Sequence, residues 1–193
     1  PIPVFTETQR KIQDEKLRLT QNAQPAIGTF SAGLFNTFKQ AGLTVDFAAG
    51  HSFGELTALW AAGVLSEQDY MLLARSRGAA MAAPTDANFD AGAMAAVVGA
   101  PDNVATDIET IDGVSIANYN SNNQVVIAGV TAQIEVAVKQ LQDKGYKVVK
   151  LPVSAAFHTE LVGHAQKPFA DVIDSVEFKA PTTSAPTVSA NSP

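Results

Sequence analysis

Val45-Asp46-Phe47-Ala48-Ala49-Gly50-His51-Ser52-Phe53-Gly54-Glu55-Leu56 is the stretch on which the reading of this chain turns. Val45 to Ala49 has the length and composition of a short buried strand, and Glu55 to Ala62, closed by Gly63, reads as a helix. Between them Gly50 to Gly54 forms a Gly-x-Ser-x-Gly pentapeptide in a strand, sharp turn, helix context. Glycines on both sides of Ser52 permit a tight, strained turn that lifts the hydroxyl clear of a sheet and leaves room for a carbonyl to approach. The helix that follows starts with free backbone N–H groups. That of Phe53 faces the place where an oxyanion would develop, and the positive helix end adds to the effect. The stretch predicts an α/β fold with a parallel-sheet, hydrolase-like core that carries Ser52 on a nucleophile elbow.

Outward from the elbow, the first twenty residues are polar and mixed in charge, as expected of a surface helix. From Gln24, Ile27, Phe30, Leu34 and Phe38 recur at helical spacing with Phe35 widening the stripe, and Gly42 follows, which predicts a helix packed through that stripe. Ser66-Glu67-Gln68-Asp69 resembles a capping box and opens a helix that runs through Leu72, Leu73 and Arg77 to about Met81. Residues 84–92 are small and polar, the composition of a linker. Beyond it the pattern changes to strand 94–98, helix 104–111, strands 114–119 and 124–128, helix 131–144 and strand 146–153. That β-α-β-β-α-β order predicts a ferredoxin-like small subdomain over 92–153, leaving 1–91 and 154–193 as the α/β core. A further helix is expected over 160–172. With no initiator methionine and a Pro/Ser/Thr/Ala string from Pro181 to Pro193, both ends are expected to be cut from a longer protein.

Composition narrows the function classes. The chain has 193 residues, 46% of them hydrophobic, enough to bury a core. A net charge of -6 argues against nonspecific binding to nucleic acid or anionic membrane, both of which need a positive field. There are no cysteines, which removes disulfides, thiolate catalysis and cysteine-ligated zinc. The three histidines, His51, His158 and His164, lack metal-ligand spacing, so no metal site is expected. Neither a leader pattern nor an apolar run of membrane-spanning length is present, and a soluble, cytoplasmic protein is expected.

A serine hydroxyl needs a base. His158, in Ser154-Ala155-Ala156-Phe157-His158-Thr159 just past the last predicted strand, is the candidate, since functional side chains commonly emerge at strand ends. His51 is adjacent to Ser52, where the elbow turns neighbouring side chains apart, so it is expected to pack or hydrogen-bond beside the site. His164 falls inside a predicted helix and is expected on the surface.

At this point the residues resemble a family. Gly50-His51-Ser52-Phe53-Gly54-Glu55 is similar to the active-site motif of malonyl-CoA:acyl-carrier-protein transacylases and of the acyltransferase domains of fatty-acid and polyketide synthases. Ala23-Gln24-Pro25-Ala26 resembles the start of the family's upstream helix, Arg77-Gly78 its substrate-carboxylate arginine, and Ala155-Ala156-Phe157-His158 its histidine motif. Asn118-Tyr119-Asn120 through Val126-Ile127-Ala128-Gly129 is similar to paired strands of its insert. Ala61 to Leu65 and Phe89 to Met94 look nearest to acyltransferase domains of polyunsaturated fatty acid synthases.

The resemblance implies a ping-pong reaction without a bound cofactor. Ser52, activated by His158, takes an acyl group from a coenzyme A thioester and gives it to the phosphopantetheine thiol of an acyl carrier protein. It implies an oxyanion hole at the Phe53 N–H, Arg77 on the malonyl carboxylate, and Gln24, His51 and Phe157 around the substrate. Phe157 resembles malonyl-selective members, because a bulky ring crowds a branched α-carbon, whereas Ala155 departs from the usual histidine motif. It also implies a second oxyanion-hole N–H from a Gly-Gln-Gly-Ser-Gln-like segment ahead of Pro1 and a histidine-orienting carbonyl beyond Pro193. Neighbouring synthase domains are the expected partners, with neither nucleic acid nor membrane.

Two rival readings stand beside this one. An α/β-hydrolase-type thioesterase or esterase shares the elbow but requires an acid to orient the histidine, for which Asp102, Asp107 and Asp112 are available by position. A truncated, noncatalytic docking fragment of a synthase would keep the elbow without using it.

Overall fold

The computed structural model describes residues 3–84, 86 and 88–182, and the backbone of 185–186. In chain order the elements are α1 (Glu7–Arg18), α2 (Thr20–Gln40), β1 (Phe47–Ala48), α3 (Gly54–Ala61), α4 (Glu67–Ala80), β2 (Ala93–Val98), α5 (Pro101–Ile108), β3 (Val114–Ser121), β4 (Gln124–Gly129), α6 (Thr131–Asp143), β5 (Lys147–Lys150), a 3-10 turn (Glu160–Ala165), α7 (Gln166–Ile173) and β6 (Ala185–Pro186). The chain divides into two units, Pro1–Met81 with Ala165–Pro193, and Ala82–His164. The second takes in the expected span 92–153 and adds a stretch on either side, so His158 belongs to it.

In the first unit, α1 has no buried residues and is the surface helix its composition predicts. α4 begins at Ser66, whose Oγ accepts the Asp69 N–H at 3.0 Å and donates to the Asp69 carboxylate at 2.7 Å. This side-chain cap is worth about 1 kcal/mol to the helix. Tyr70 and Leu73 then point inward and are fully buried with Leu65 and Ala32, while Trp60, Phe169 and Ile173 pack against them. β1 pairs in parallel with β6, Phe47 opposite Ala185.

The expectation for α2 is corrected by the structure. The helix starts at Thr20 rather than Gln24, and Pro25, its sixth residue, lies inside it, where the ring removes one i→i−4 hydrogen bond. Ile27, Phe30, Leu34 and Phe38 are all at least half-way exposed or close to it, Phe30 at 73%, and the buried face is Thr20, Gln24, Gly28 and Ala32. Close approach explains the choice. A Cβ on Gly78 of α4 would lie 2.7 Å from the Thr20 carbonyl oxygen, and one on Gly28 would lie 3.0 Å from the Tyr70 hydroxyl. Only small residues fit where α2 and α4 meet. β1 is likewise shorter than its apolar run, and Phe47 is exposed rather than buried.

The second unit is an antiparallel sheet of order β3-β4-β2-β5. Ala95 lies opposite Ile127 on one side and Lys150 on the other. Ala95, Val97, Val125 and Ile127 face α5 and α6, meeting Val104, Ile108, Ile134 and Leu141 in a dry core. The opposite face, Met94, Ala117, Val126 and Ala128, packs against Ala156 and so seats the segment that carries His158. Helix α5 starts earlier than predicted because Pro101 fits its first position. The helix expected over 160–172 divides into the 3-10 turn and α7. The tail from residue 187 lies outside the described residues.

Candidate active site

The elbow forms as its glycines allow. A Cβ on Gly50 would overlap the Gly54 carbonyl and the Glu55 amide, so the chain at Gly50 passes directly beneath the start of α3. Ser52 sits at the apex with φ 53. The N–H groups of Gly54, Glu55 and Leu56 are used in bonds back to the carbonyls of His51, Ser52 and Phe53. The Phe53 N–H precedes all three, at the positive end of the helix. Phe53 itself is buried while His51 is exposed. An open recess of about 690 Å³, bounded among others by Phe35, Phe47, His51, Ser52 and Thr57, lies against the elbow.

Two helices bring a cation to the serine. Arg77 of α4 donates through Nη2 to the Ser52 Oγ at 3.3 Å and through Nη1 to the Gln24 Oε1 of α2 at 2.8 Å. Gln24 is oriented in turn, because its Nε2 donates to the Thr20 Oγ1 at 2.7 Å and approaches the Met81 sulfur at 3.6 Å. With its amide hydrogens spent there, the oxygen must face Arg77. Burial pulls the Arg77 pKa down, and the charge of Glu55 pushes it back up. Among the described residues no carboxylate forms an ion pair with Arg77. Its hydrogen bonds go to neutral oxygens, so Glu55 supplies negative charge without a directly bonded ion pair. Arg75 is exposed, on another side of α4.

In the second unit, His158 has φ 63. Ser52 and His158 are the only non-glycine residues of positive φ among the described ones, a conformation that costs about 1–3 kcal/mol each and collects at functional sites. The His158 segment is clamped on both sides. The Ala156 N–H donates to the Ala91 carbonyl at 2.7 Å, and a Cβ on Gly92 would lie 2.5 Å from the Ala156 methyl. Thr159 Oγ1 donates to the Ala156 carbonyl at 2.7 Å and accepts the Leu161 N–H at 3.3 Å. Phe157 packs against the Met94 and Val126 side of the sheet. His164 is exposed as expected, its Nε2 3.1 Å from the Ala82 carbonyl and its ring edge-on to Phe89.

The sequence matches the family described as acyl transferase domain over residues 6–191. The chain belongs to that family. It is 40% identical over 171 residues to the malonyl CoA-acyl carrier protein transacylase of Bacillus subtilis, covering 86% of this chain and 53% of that protein. It is 37% identical to a polyunsaturated fatty acid synthase polypeptide of a Thraustochytrium species, covering 91% of this chain and 6% of that much longer one. Among solved structures, FabD from Acinetobacter baumannii superposes with a TM-score of 0.78 at 36% identity, over 88% of this chain and 56% of its own. The acyltransferase domain from the second module of the salinomycin polyketide synthase gives 0.78 at 35%, over 88% and 39%. The chain thus spans about half the length of the transacylases it matches.

Within this acyl transferase domain, sequence reasoning nominated Gln24 and Arg77 through family resemblance and missed Thr20, which fixes the amide between them. The four-residue spacing of Thr20 and Gln24 on one helix face was the available signal. Of the acids a hydrolase would need, Asp107 is already committed to Lys144 and to the Tyr146 hydroxyl, and these hydrogen bonds hold its pKa below the ordinary value. Among the described residues no cluster of histidine and acidic side chains fit to hold a metal occurs, and no helix is long and apolar enough to cross a membrane.

Proposed function

We propose that this domain moves a malonyl group from a coenzyme A thioester to the phosphopantetheine thiol of an acyl carrier protein through a Ser52 acyl-enzyme. The observation that carries the reading is the Arg77 guanidinium. It is desolvated, and it donates only to neutral oxygens, those of the Gln24 amide and the Ser52 hydroxyl. An acyl group ending in a carboxylate supplies a directly bonded counter-charge, and a planar guanidinium receives it through two parallel N–H bonds.

The chemistry then runs as two like half-reactions. His158 takes the Ser52 proton as Oγ attacks the thioester carbonyl, and the Phe53 N–H faces the oxyanion. The C–S bond breaks and the proton passes from His158 to the departing coenzyme A sulfur. His158 next deprotonates the carrier thiol, which attacks the acyl ester. The C–O bond breaks and the proton returns to Ser52. His51 flanks the nucleophile, Phe157 limits branching at the acyl α-carbon, and Gln24 acts on the acyl group through Arg77. No bound cofactor takes part in this scheme, in which coenzyme A is substrate only.

The finer architecture belongs to the same proposal. The elbow-bearing unit is a hydrolase-like parallel-sheet core, and residues 92–153 form a ferredoxin-like insert, supported by the strand order β3-β4-β2-β5. The partners are an acyl carrier protein and neighbouring synthase domains, in the cytoplasm. The test is partition of a malonyl-CoA substrate between carrier and water. Label on the phosphopantetheine arm supports the transferase, and steady release of free malonate with an unlabelled carrier overturns it in favour of a thioesterase.

A further inference from the structure

We infer that Tyr70 is a positioning residue whose hydroxyl sets the register between Ser52 and the Gln24–Arg77 pair, and so tunes selection for carboxylate-bearing acyl groups. The inference rests on the proposed role of Arg77. Three separate helices supply that site: α2 carries Gln24, α4 carries Arg77, and Ser52 and Phe53 lead into α3. Where α2 meets α4, the backbones approach through small residues, Gly28, Ala32 and Gly78, beside the larger Tyr70 and Leu73. Small residues bring backbones close but do not by themselves prevent sliding, whereas directional hydrogen bonds do.

Tyr70 reaches both other helices from α4. Its hydroxyl donates to the Gly28 carbonyl of α2 at 3.1 Å and lies 2.9 Å from the Thr57 Oγ1 of α3. The phenol has one proton. Donating it to Gly28 makes Thr57 the donor in the second bond. The ring is fully buried and stacked on Trp60, with centroids 5.3 Å apart and planes at 17°, so the hydroxyl cannot swing away. A Cβ on Gly28 would lie 3.0 Å from this hydroxyl and 3.1 Å from the tip of the Phe53 ring. The side chain that follows the nucleophile therefore rests on the spot that Tyr70 pins. Burial pushes the Tyr70 phenol up, so it remains neutral through the working pH range and takes no part as an acid or base. Phenylalanine at 70 with valine at 57 would nearly fill the same space without the two hydroxyls, and replacing both partners of a buried hydrogen bond in this way can be nearly neutral or stabilising. The buried hydroxyl pair is accounted for by register.

The experiment compares initial rates of Ser52 acylation from malonyl-CoA and from acetyl-CoA in Tyr70→Phe, Thr57→Val, Thr57→Ser and Arg77→Ala. The quotient of the two rates is unaffected by any fraction of unfolded protein. It is expected to fall by about tenfold in Tyr70→Phe, since a shift of an ångström or less already misaligns a bidentate clamp. Thr57→Val should lower it similarly, Thr57→Ser should keep it, and the Tyr70→Phe, Thr57→Val double variant should be no worse than Tyr70→Phe alone. A quotient at the wild-type value in both single variants overturns the inference, even if their melting temperatures drop. Equal malonyl and acetyl losses in Arg77→Ala overturn instead the role of Arg77 on which it rests.

Discussion

Arg77 and Ser52 stand 25 positions apart in the chain, yet the guanidinium donates to the serine oxygen across 3.3 Å. A cation so near the nucleophile occupies the place where an acyl group with a distal carboxylate would extend from the serine. On the proposed role of Arg77, arrival of that carboxylate would draw the Nη2 hydrogen bond from Oγ to the anion and free the hydroxyl for its base. Binding of the right acyl group and activation of the nucleophile would then be one event.

Arg77→Ala should depress malonyl loading by about ten- to a hundredfold, the worth of a charge-assisted hydrogen bond, and acetyl loading much less. Arg77→Lys should recover only part of the loss, because an ammonium cannot make two parallel bonds. Loading rates measured with both donors check this. Equal losses would remove Arg77 from substrate recognition.

Gln24→Glu should act in the opposite sense on the protein and on the substrate. The new carboxylate would lie where Oε1 now accepts from Arg77 at 2.8 Å, giving the guanidinium a directly bonded counter-charge. Thermal stability should hold or rise while KM for malonyl-CoA increases several-fold, with acetyl-CoA little affected. An unchanged KM for malonyl-CoA would contradict the account.

Gly50 and Gly54 bracket the same serine but should tolerate alanine differently. A Cβ on Gly50 overlaps the Gly54 carbonyl, so Gly50→Ala should lose both loading and several degrees of melting temperature. Apart from its chain neighbours and its own helix backbone, no atom lies within 4 Å of a Cβ on Gly54 of α3, so Gly54→Ala should be as stable or up to about 1 kcal/mol more so. Denaturant melts of the two variants separate the cases.

Asp90 ties the start of the second unit to α6, accepting from the Thr131 hydroxyl and N–H and from the Gly92 N–H. The Thr131 hydroxyl, then the Gly92 and Thr131 N–H groups, hold its carboxyl below the ordinary carboxylate range. A depressed folded-state value means its contribution is in force above the unfolded pKa and is lost as pH falls through the folded one. Melting temperature should therefore decline below about pH 4. Asp90→Asn should flatten that decline, and a variant with the wild-type pH profile would show that Asp90 does not contribute.

What could be read from sequence was local. The elbow, the Ser66 cap and the β-α-β-β-α-β order each depend on neighbours within a few residues. The buried side of α2 did not follow from its apolar stripe, because Gly28, Gly78 and Tyr70 select the face by how closely two backbones approach. Ile27 and Phe30 identify a helix without saying which side is covered. Thr20 and Tyr70 were missed for a related reason: each acts through a hydrogen bond to another residue, and the Tyr70 bonds cross 13 and 42 positions of chain. Periodicity carries no record of such pairs.

Peptide mapping by mass spectrometry after brief exposure to malonyl-CoA tests the central claim most directly. The account predicts a malonyl ester on the peptide that contains Ser52, absent in Ser52→Ala and strongly reduced in His158→Ala. A malonyl group attached elsewhere, or one that forms on Ser52 equally fast without the His158 imidazole, would contradict it.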